Sequence, residues 1–456
     1  MQIAFEGPTS GLEIVRELLS PWDISFTDSS RAETTITYDT LPEVEKFVVI
    51  PSNSTDFVKK AKKTRLDFEV RLGGQVSVDA CHKTRLTMTP TCSFRYGQWM
   101  NQEGTDNGII EANDASKVYL TIDIIDEFKH TLDGILNPKI SRTYKILTNM
   151  PIPYSIAPRQ VKNLLMRKRH EELSHQSFCA HLSLDTTRFI LAAAIEKSSG
   201  KKLLRKNWDK KQFAFVMTHD VDSQEGFGRS KRLKNIEEKY DIPSAWYIPS
   251  KRYRLDPESV KSLASYGEIG CHDTKHDGKL VFLARKKLNL RISEAKTALE
   301  RLTGRSIDGF RSPLLQYNAN IMAAVEKAGF CYDSSIPTWE PKHPLTMKSH
   351  GIQTMFPLSL GGLIEIPITL PQDHQMLSVS GLTCREALEK WSSMVNVIKN
   401  LGGLCSFLVH PDYELSDLSN GVYEELLNLI ASEKQALITL PSGICNAKKN
   451  EILFKS

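Results

Sequence analysis

Phe213-Ala-Phe-Val-Met-Thr218-His219-Asp220-Val221-Asp222 is an apolar run that ends in two carboxylates set two residues apart. Side chains in an extended strand alternate with a period of two, so Asp220 and Asp222 leave the strand end on one face. That pairing concentrates negative charge where a metal ion or a proton can be held. Further on, Tyr266-Gly-Glu-Ile-Gly-Cys271-His272-Asp273-Thr274-Lys275-His276 repeats the arrangement, a short apolar run followed by two histidines at i and i+4. The spacing predicts one helical turn with both imidazoles on one face, free to converge on one ion. One of these aspartates with His272 and His276 is a three-ligand set that leaves a coordination position open, the arrangement of catalytic rather than structural zinc. Taken singly, either pattern also occurs among solvated carboxylates and surface histidines. Their weight comes from position, because both follow strand-like runs in the same half of the chain, and strand ends carry the chemistry of α/β barrels.

Outward from this stretch, strands and helices alternate with short joints. Strands are expected at 213–218, 244–248, 267–271, 308–311, 330–332, 363–368, 404–409 and 436–440. Helices are expected near 229–240, 256–265, 281–303, 319–328, 384–400 and 421–433. Such alternation predicts an α/β fold with parallel strands covered by helices, and seven or eight units favour a closed barrel over an open sheet. Three more strand ends carry chemistry: Arg311 before Ser312-Pro313, Asp333 before Ser334-Ser335, and His410 before Pro411.

The rest of the chain bounds the problem. Its 456 residues suffice for two or three domains, and 40% hydrophobic with 25% charged residues is ordinary globular composition. Lys and Arg (59) barely exceed Asp and Glu (54), which gives no reason to expect nucleic acid or anionic lipid as partner. With no apolar run long enough to span a membrane and no signal-peptide pattern after Met1, the chain reads as cytoplasmic. Eight cysteines without any Cys-x2-Cys pair read as reduced thiols, Cys271 among them as a core residue. The oligomeric state is not legible.

Residues 1–115 mix strand-like runs (34–38, 46–50, 85–89) with a helix near Leu12 to Leu19, a small α/β or α+β domain of unknown role. Residues 116–205 read as a helical connecting segment, with helices at 118–132, 158–173 and 184–196, and 206–450 as the barrel. Asn53-Ser54-Thr55 matches a glycosylation sequon by chance. The basic clusters Arg167-Lys168-Arg169-His170 and Lys201 to Lys211 read as solvated faces or linker. His170, His175 and His181 fit no metal-ligand spacing on a helix.

The five strand ends together resemble the polysaccharide deacetylase (NodB-homology) family, carbohydrate esterase family four, over about 213 to 445. Thr218-His219-Asp220-Val221-Asp222 is similar to its first motif, His272 to His276 to the second, Arg311-Ser312-Pro313 to the third and Leu408-Val409-His410 to the fifth. The resemblance implies an irregular (β/α) barrel and a metal-dependent deacetylase. It makes Asp220 the general base, Asp222, His272 and His276 the metal ligands, Arg311 the partner that orients Asp220, and His410 the general acid. Leu408 would line a pocket for the acetyl methyl, and Pro313, Leu314 and Asp333 complete the expected substrate-binding set. The implied cofactor is a divalent metal, zinc first, with cobalt, nickel, manganese and iron as alternatives.

The chemistry asks for these residue types on its own account. An amide is a poor electrophile, so a metal must polarise its carbonyl and acidify the attacking water. A carboxylate beside the metal can take the proton, and a histidine can protonate the departing amine. A backbone N–H near Pro313 would share the oxyanion with the metal. The chain departs from the common pattern in having Asp-x-Asp rather than Asp-Asp, Leu314 where many members have tyrosine, and no evident fourth motif unless Asp333 supplies its aspartate. The expected function is removal of N-acetyl groups from an N-acetylated sugar or glycan. An amidase acting on a non-carbohydrate C–N bond and a carbohydrate-binding relative without catalysis are the alternatives.

Overall fold

The computed structural model describes residues 1–40, 42–50, 78–80, 84–88, 100–101, 110–112, 116–120, 123–149, 183–340, 343, 345–346, 350–412 and 421–453. They fall into two compact units, one within Met1–Gly134, Phe178–Asn207 and Leu453–Ser456, the other within Ile135–Ser177 and Trp208–Ile452.

The first unit opens with β1 (Gln2–Glu6), α1 (Thr9–Leu18), β2 (Ser25–Phe26), β3 (Thr34–Tyr38) and β4 (Phe47–Ile50). Short strands β5 (Val78–Ala80), β6 (Thr84–Met88) and β7 (Met100–Asn101) make a separate antiparallel sheet. After β8 (Ile110–Ala112) and β9 (Lys117–Leu120) comes α2 (Ile124–Leu136). The main sheet runs β2-β1-β3-β4-β9-β8, parallel except for β8, so this unit is α/β. The helix expected from Val118 is thus a strand at first. Val118, Tyr119 and Leu120 suit a pleated surface, β4 offers a parallel partner, and the helix starts at Ile124 where Asp123 Oδ1 accepts from the amides of Ile125 and Asp126. The expected helix at 158–173, the basic cluster at 167–170, His175, His181, the sequon at 53–55 and Cys81, Cys92 and Cys179 lie outside the described residues. Cys271, Cys331, Cys384, Cys405 and Cys445 are free thiols.

The second unit begins with α3 (Arg142–Asn149); α4 (Ser183–Ser199) returns to the first unit and packs on β4 and β9. Then follow β10 (Phe213–Asp220), α5 (Gln224–Glu237), β11 (Ser244–Ile248), α6 (Pro257–Tyr266), β12 (Glu268–Cys271), α7 (Arg285–Thr303), β13 (Gly309–Phe310), α8 (Ala319–Lys327) and β14 (Tyr332–Asp333). The series ends with β15 (Leu358–Leu360), β16 (Leu363–Glu365), α9 (Cys384–Leu401), β17 (Leu404–Leu408), α10 (Val422–Ser432), β18 (Ala436–Ile438) and α11 (Pro441–Leu453). One nine-stranded sheet results, ordered β15-β16-β14-β13-β12-β11-β10-β17 with β18 also on β10, and only β15 is antiparallel. The chain beyond β16 closes the curl, since Ile368 N donates to Ile336 O on one side and Leu370 N to Ser406 O on the other. This is the expected irregular (β/α) barrel.

All eight residues of β10 are buried, which accounts for its unbroken apolar run: a central parallel strand has no solvent face. Phe215 stacks on Phe407 of β17, and Trp391 from α9 meets Phe407 edge-on, each fully buried ring contributing roughly 1.5–3 kcal/mol of burial. Helix starts are set by side chains, Ser223 accepting from Gly226 N, Asp256 from Ser259 N and Asn318 from Ile321 N, with a Thr383–Glu386 capping box on α9. Gly309 is required by packing, because a Cβ there would stand 2.1 Å from the Tyr332 ring. Strand ends at one rim of this barrel carry the polar residues described next. Among the described residues no helix is long and apolar enough to cross a membrane.

Candidate active site

Asp220 is the last residue of β10, and His272 follows β12, Arg311 follows β13 and His410 lies two past β17. Parallel pairing in register, Asp220 beside Tyr247 and Thr218 beside Leu408, brings these ends together at one rim. Asp222 Oδ1 lies 3.4 Å from His272 Nε2 and 3.0 Å from His276 Nε2, and one donor atom from each of the three residues falls within 4.8 Å of the others. The two histidines do not share a helical turn. Residues 272–276 form a loop with Asp273 at φ 66° and His276 at φ 52°, and those left-handed residues fold His276 back toward His272, ring centroids 5.1 Å apart. The ring Nδ1 of His272 donates to Arg311 O (2.8 Å), which leaves Nε2 as the lone pair facing Asp222.

Among the described residues, buried Asp222 Oδ1 and His272 Nε2 have no hydrogen-bond partner. Two acceptors directed at one space, without a donor for either, fit a cation between them. Burial works to raise the Asp222 carboxyl, but the imidazoles of His276 and His272 hold it well below the usual carboxylate range. Burial likewise opposes protonation of His272, while Asp220 and Asp222 raise it above the ordinary value. A cation placed there would compete with protons for the same lone pairs.

Asp220 Oδ1 accepts from Arg311 Nη1 at 3.0 Å, and Asp220 Oδ2 is 3.8 Å from His272 Nε2. Arg311 is fully buried and held on every side: Nη1 also reaches Thr218 Oγ1, Nε reaches Ser334 O and Nη2 reaches Ser334 Oγ, each at 2.8 Å. Its guanidinium lies 4.1 Å over the Tyr247 ring. His410 Nδ1 meets Asp373 Oδ1 at 2.6 Å, and Asp373 Oδ2 accepts the His410 amide at 2.8 Å. Burial would lower the His410 pKa, but the Asp373 carboxylate, with Asp222 and Asp220 beyond it, pushes it up to about 10.

Leu408 packs with Leu315 and Ile368 in a small apolar cluster under this rim. Pro313 opens the turn after Arg311, and Leu314, at φ 56°, is 37% exposed. Asp333 is buried and accepts from Ser335 N and Oγ, both at 2.9 Å. Burial and its carboxyl neighbour across the β14–β16 pairing push Glu365 well above the carboxylate range, so Asp333 and Glu365 form a buried acid pair rather than part of the Asp222 group.

Sequence reasoning missed Asp373, Asp412 and Arg291. Asp373 lies eight residues past β16 and caps the helical turn that starts at His374, so no strand-end pattern marks it. Asp412 Oδ2 accepts the Asp222 amide at 3.2 Å and its Oδ1 accepts the Ser223 hydroxyl, tying the His410 loop to the Asp222 loop. Burial and nearby Asp222 push Asp412 up to about 6. A Cβ on Gly226 would collide with that carboxylate at 2.4 Å, so glycine is needed there. His219, adjacent to Asp220, is locked in the core between Val409 O (2.8 Å) and Glu237 Oε1 (2.7 Å), stacked on Trp246.

Residues 209–332 match the family model described as polysaccharide deacetylase. This stretch is a polysaccharide deacetylase domain. The family is one of hydrolases acting on carbon–nitrogen bonds. A peptidoglycan deacetylase of Helicobacter pylori is 24% identical over 106 residues, 23% of this chain and 36% of that protein. A peptidoglycan deacetylase-like protein of Gibberella zeae is 28% identical over 108 residues, 23% of this chain and 32% of that protein. The chain thus covers about a third of the length of these relatives, 36% and 32%. Among solved structures, a Mycobacterium smegmatis protein of the polysaccharide deacetylase type aligns over 54% of this chain and 93% of its own, at TM-score 0.46 and 20% identity. A family 4 carbohydrate esterase from Streptomyces lividans, solved with acetate, aligns over 51% and 95%, at TM-score 0.36 and 14% identity.

Proposed function

We propose that the chain is a metal-dependent hydrolase that removes N-acetyl groups from an N-acetylated sugar or glycan. The observation that carries the reading is the pair of orphaned buried acceptors, Asp222 Oδ1 and His272 Nε2, with His276 Nε2 completing a three-sided cradle. A divalent cation bound by Asp222, His272 and His276 would polarise the acyl carbonyl and acidify the attacking water. Zinc suits a carboxylate and two imidazoles best.

Asp220 stands next to this cradle and outside it, positioned to accept the proton of the attacking water through the oxygen that Arg311 leaves free. Arg311 keeps that carboxylate in one orientation, its other donors being spent on Thr218 and Ser334. His410 carries its proton on the ring face turned from Asp373, and protonates the departing amine nitrogen. Asp373 orients the imidazole and keeps it charged across neutral pH. In this reading Leu408, packed with Leu315 and Ile368, gives the acetyl methyl its apolar contact. A carboxylate base beside the cradle and a separate histidine acid are what amide hydrolysis demands, and a carbohydrate-binding relative would have no use for them.

Acetate release from N-acetylglucosamine oligomers and peptidoglycan fragments tests the proposal. Release by the zinc-loaded protein, lost in Asp220→Asn with metal retained, supports it. A zinc-loaded protein that releases acetate from none of them refutes it.

A further inference from the structure

Each histidine of the cradle is followed directly by an aspartate, His272-Asp273 and His276-Asp277. One guanidinium, Arg291 of α7, holds both carboxylates. Its Nε bonds Asp273 Oδ1 at 2.7 Å and its Nη2 bonds Asp273 Oδ2. Nη1 and Nη2 also reach Asp277 Oδ2 and Oδ1 at 3.0 and 2.8 Å. Asp273 is fully buried and the Arg291 side chain is 14% exposed. Between the two aspartates the backbone enters the left-handed region at Asp273 and again at His276, a conformation non-glycine residues keep only when their surroundings impose it. Arg252 Nη1 supports the same turn through the carbonyls of Lys275 (3.2 Å) and His276 (2.9 Å). The far end is tied at Gly278 O, which accepts from Tyr144 Oη at 3.1 Å and from Gln316 Nε2 at 2.5 Å.

Building on the metal reading above, we infer that Arg291 is the positioning residue of the metal site. By clamping Asp273 and Asp277 it holds the 272–277 loop in the turn that returns His276 Nε2 to Asp222, so the ligand spacing is preset before an ion arrives. Charge and geometry make opposite forecasts here, which makes the inference sharp. As a point charge near a dication, Arg291 repels it, and removing the charge tightens metal binding. As a clamp, its removal lets the strained loop relax and weakens binding. Lysine keeps the charge but not the planar fork, so it separates the two roles a second time.

The test is titration of the full-length, metal-stripped protein with zinc against a chromophoric chelator, and with cobalt(II) by visible absorption. The proteins compared are wild type, Arg291→Gln, Arg291→Lys and Asp277→Asn. Arg291→Gln is expected to bind roughly 10–100-fold more weakly, the range for losing an outer support of a ligand. Arg291→Lys and Asp277→Asn fall between it and wild type, with far-ultraviolet circular dichroism of the metal-free proteins unchanged. Equal or tighter binding by folded Arg291→Gln overturns the inference. Should Arg291→Gln fail to fold, Arg291→Lys, which keeps the charge but not the planar fork, decides by the same criterion. Wild type that binds neither metal overturns the metal reading and the clamp with it, so the two failures are distinguishable.

Discussion

Asp373→Asn isolates the proposed acid. In the wild type, His410 is held protonated to about 10 because Asp373 outweighs the burial that would otherwise discharge the ring. An amide at 373 removes that negative charge and leaves burial opposed only by the more distant Asp222 and Asp220. The His410 pKa should then fall toward its ordinary value of 6.5. At pH 8 a histidine with a pKa near 10 is almost wholly protonated, whereas one near 6.5 is about 3% protonated, a loss of roughly thirtyfold in the competent acid form. A pH profile of kcat/KM for acetate release, from pH 5 to 10, is the assay. The alkaline limb of Asp373→Asn should move down by more than two pH units, with much of the rate recovered near pH 5.5. Asparagine also leaves either the His410 amide or its Nδ1–H without an acceptor, so some pH-independent loss is expected on top. An alkaline limb unmoved in a folded, zinc-loaded Asp373→Asn would refute the assignment of His410 as an acid charged by Asp373.

Asp222→Asn should lose metal and turnover together, whereas Asp220→Asn should keep its zinc and lose roughly 10²–10⁴ in rate; equal zinc content and equal activity in both would contradict the division of roles. Zinc affinity should fall as pH drops, because His272 is raised above 6.5 and binds the competing proton more readily; a pH-independent dissociation constant between pH 5 and 7.5 counts against the site. Stability should decline on the alkaline side: His410, raised from 6.5 to about 10, and Glu340, raised from 4.5 to about 8 by burial, both bind more protons folded than unfolded. The two contributions are complete below pH 4.5, Glu340's disappears by about 8 and His410's by about 10, so Glu340→Gln should flatten the urea midpoint between pH 5 and 8. Gly309→Ala places a methyl against the Tyr332 ring and should cost about 1–3 kcal/mol in urea denaturation, and an unchanged midpoint would show that the ring has room.

The order of strands and helices from Phe213 onward was legible because a buried parallel strand is an unbroken apolar run and its covering helices carry their own caps. Asp220, Asp222, His272, His276, Arg311 and His410 could be singled out for the same reason, each standing where such a run stops. Local pattern misjudged the shape between His272 and His276, where spacing suggested a helical turn and the chain makes a loop with two left-handed residues, because the forces that hold it come from Arg291 and Arg252 elsewhere in the chain. Val118 to Leu120 looked helical for a similar reason: the strand exists because β4 lies beside it, and no window of sequence contains β4 and β9 together. Asp373 is 37 residues from His410, and its meaning depends on the segment after β16 crossing to the side of β17. The sequence by itself determined which residue types end the strands, since that is a property of local hydrophobic pattern. Which of those ends meet, which lone pairs are left facing one another, and which charge holds His410 protonated are long-range contacts, and only the closed sheet decided them.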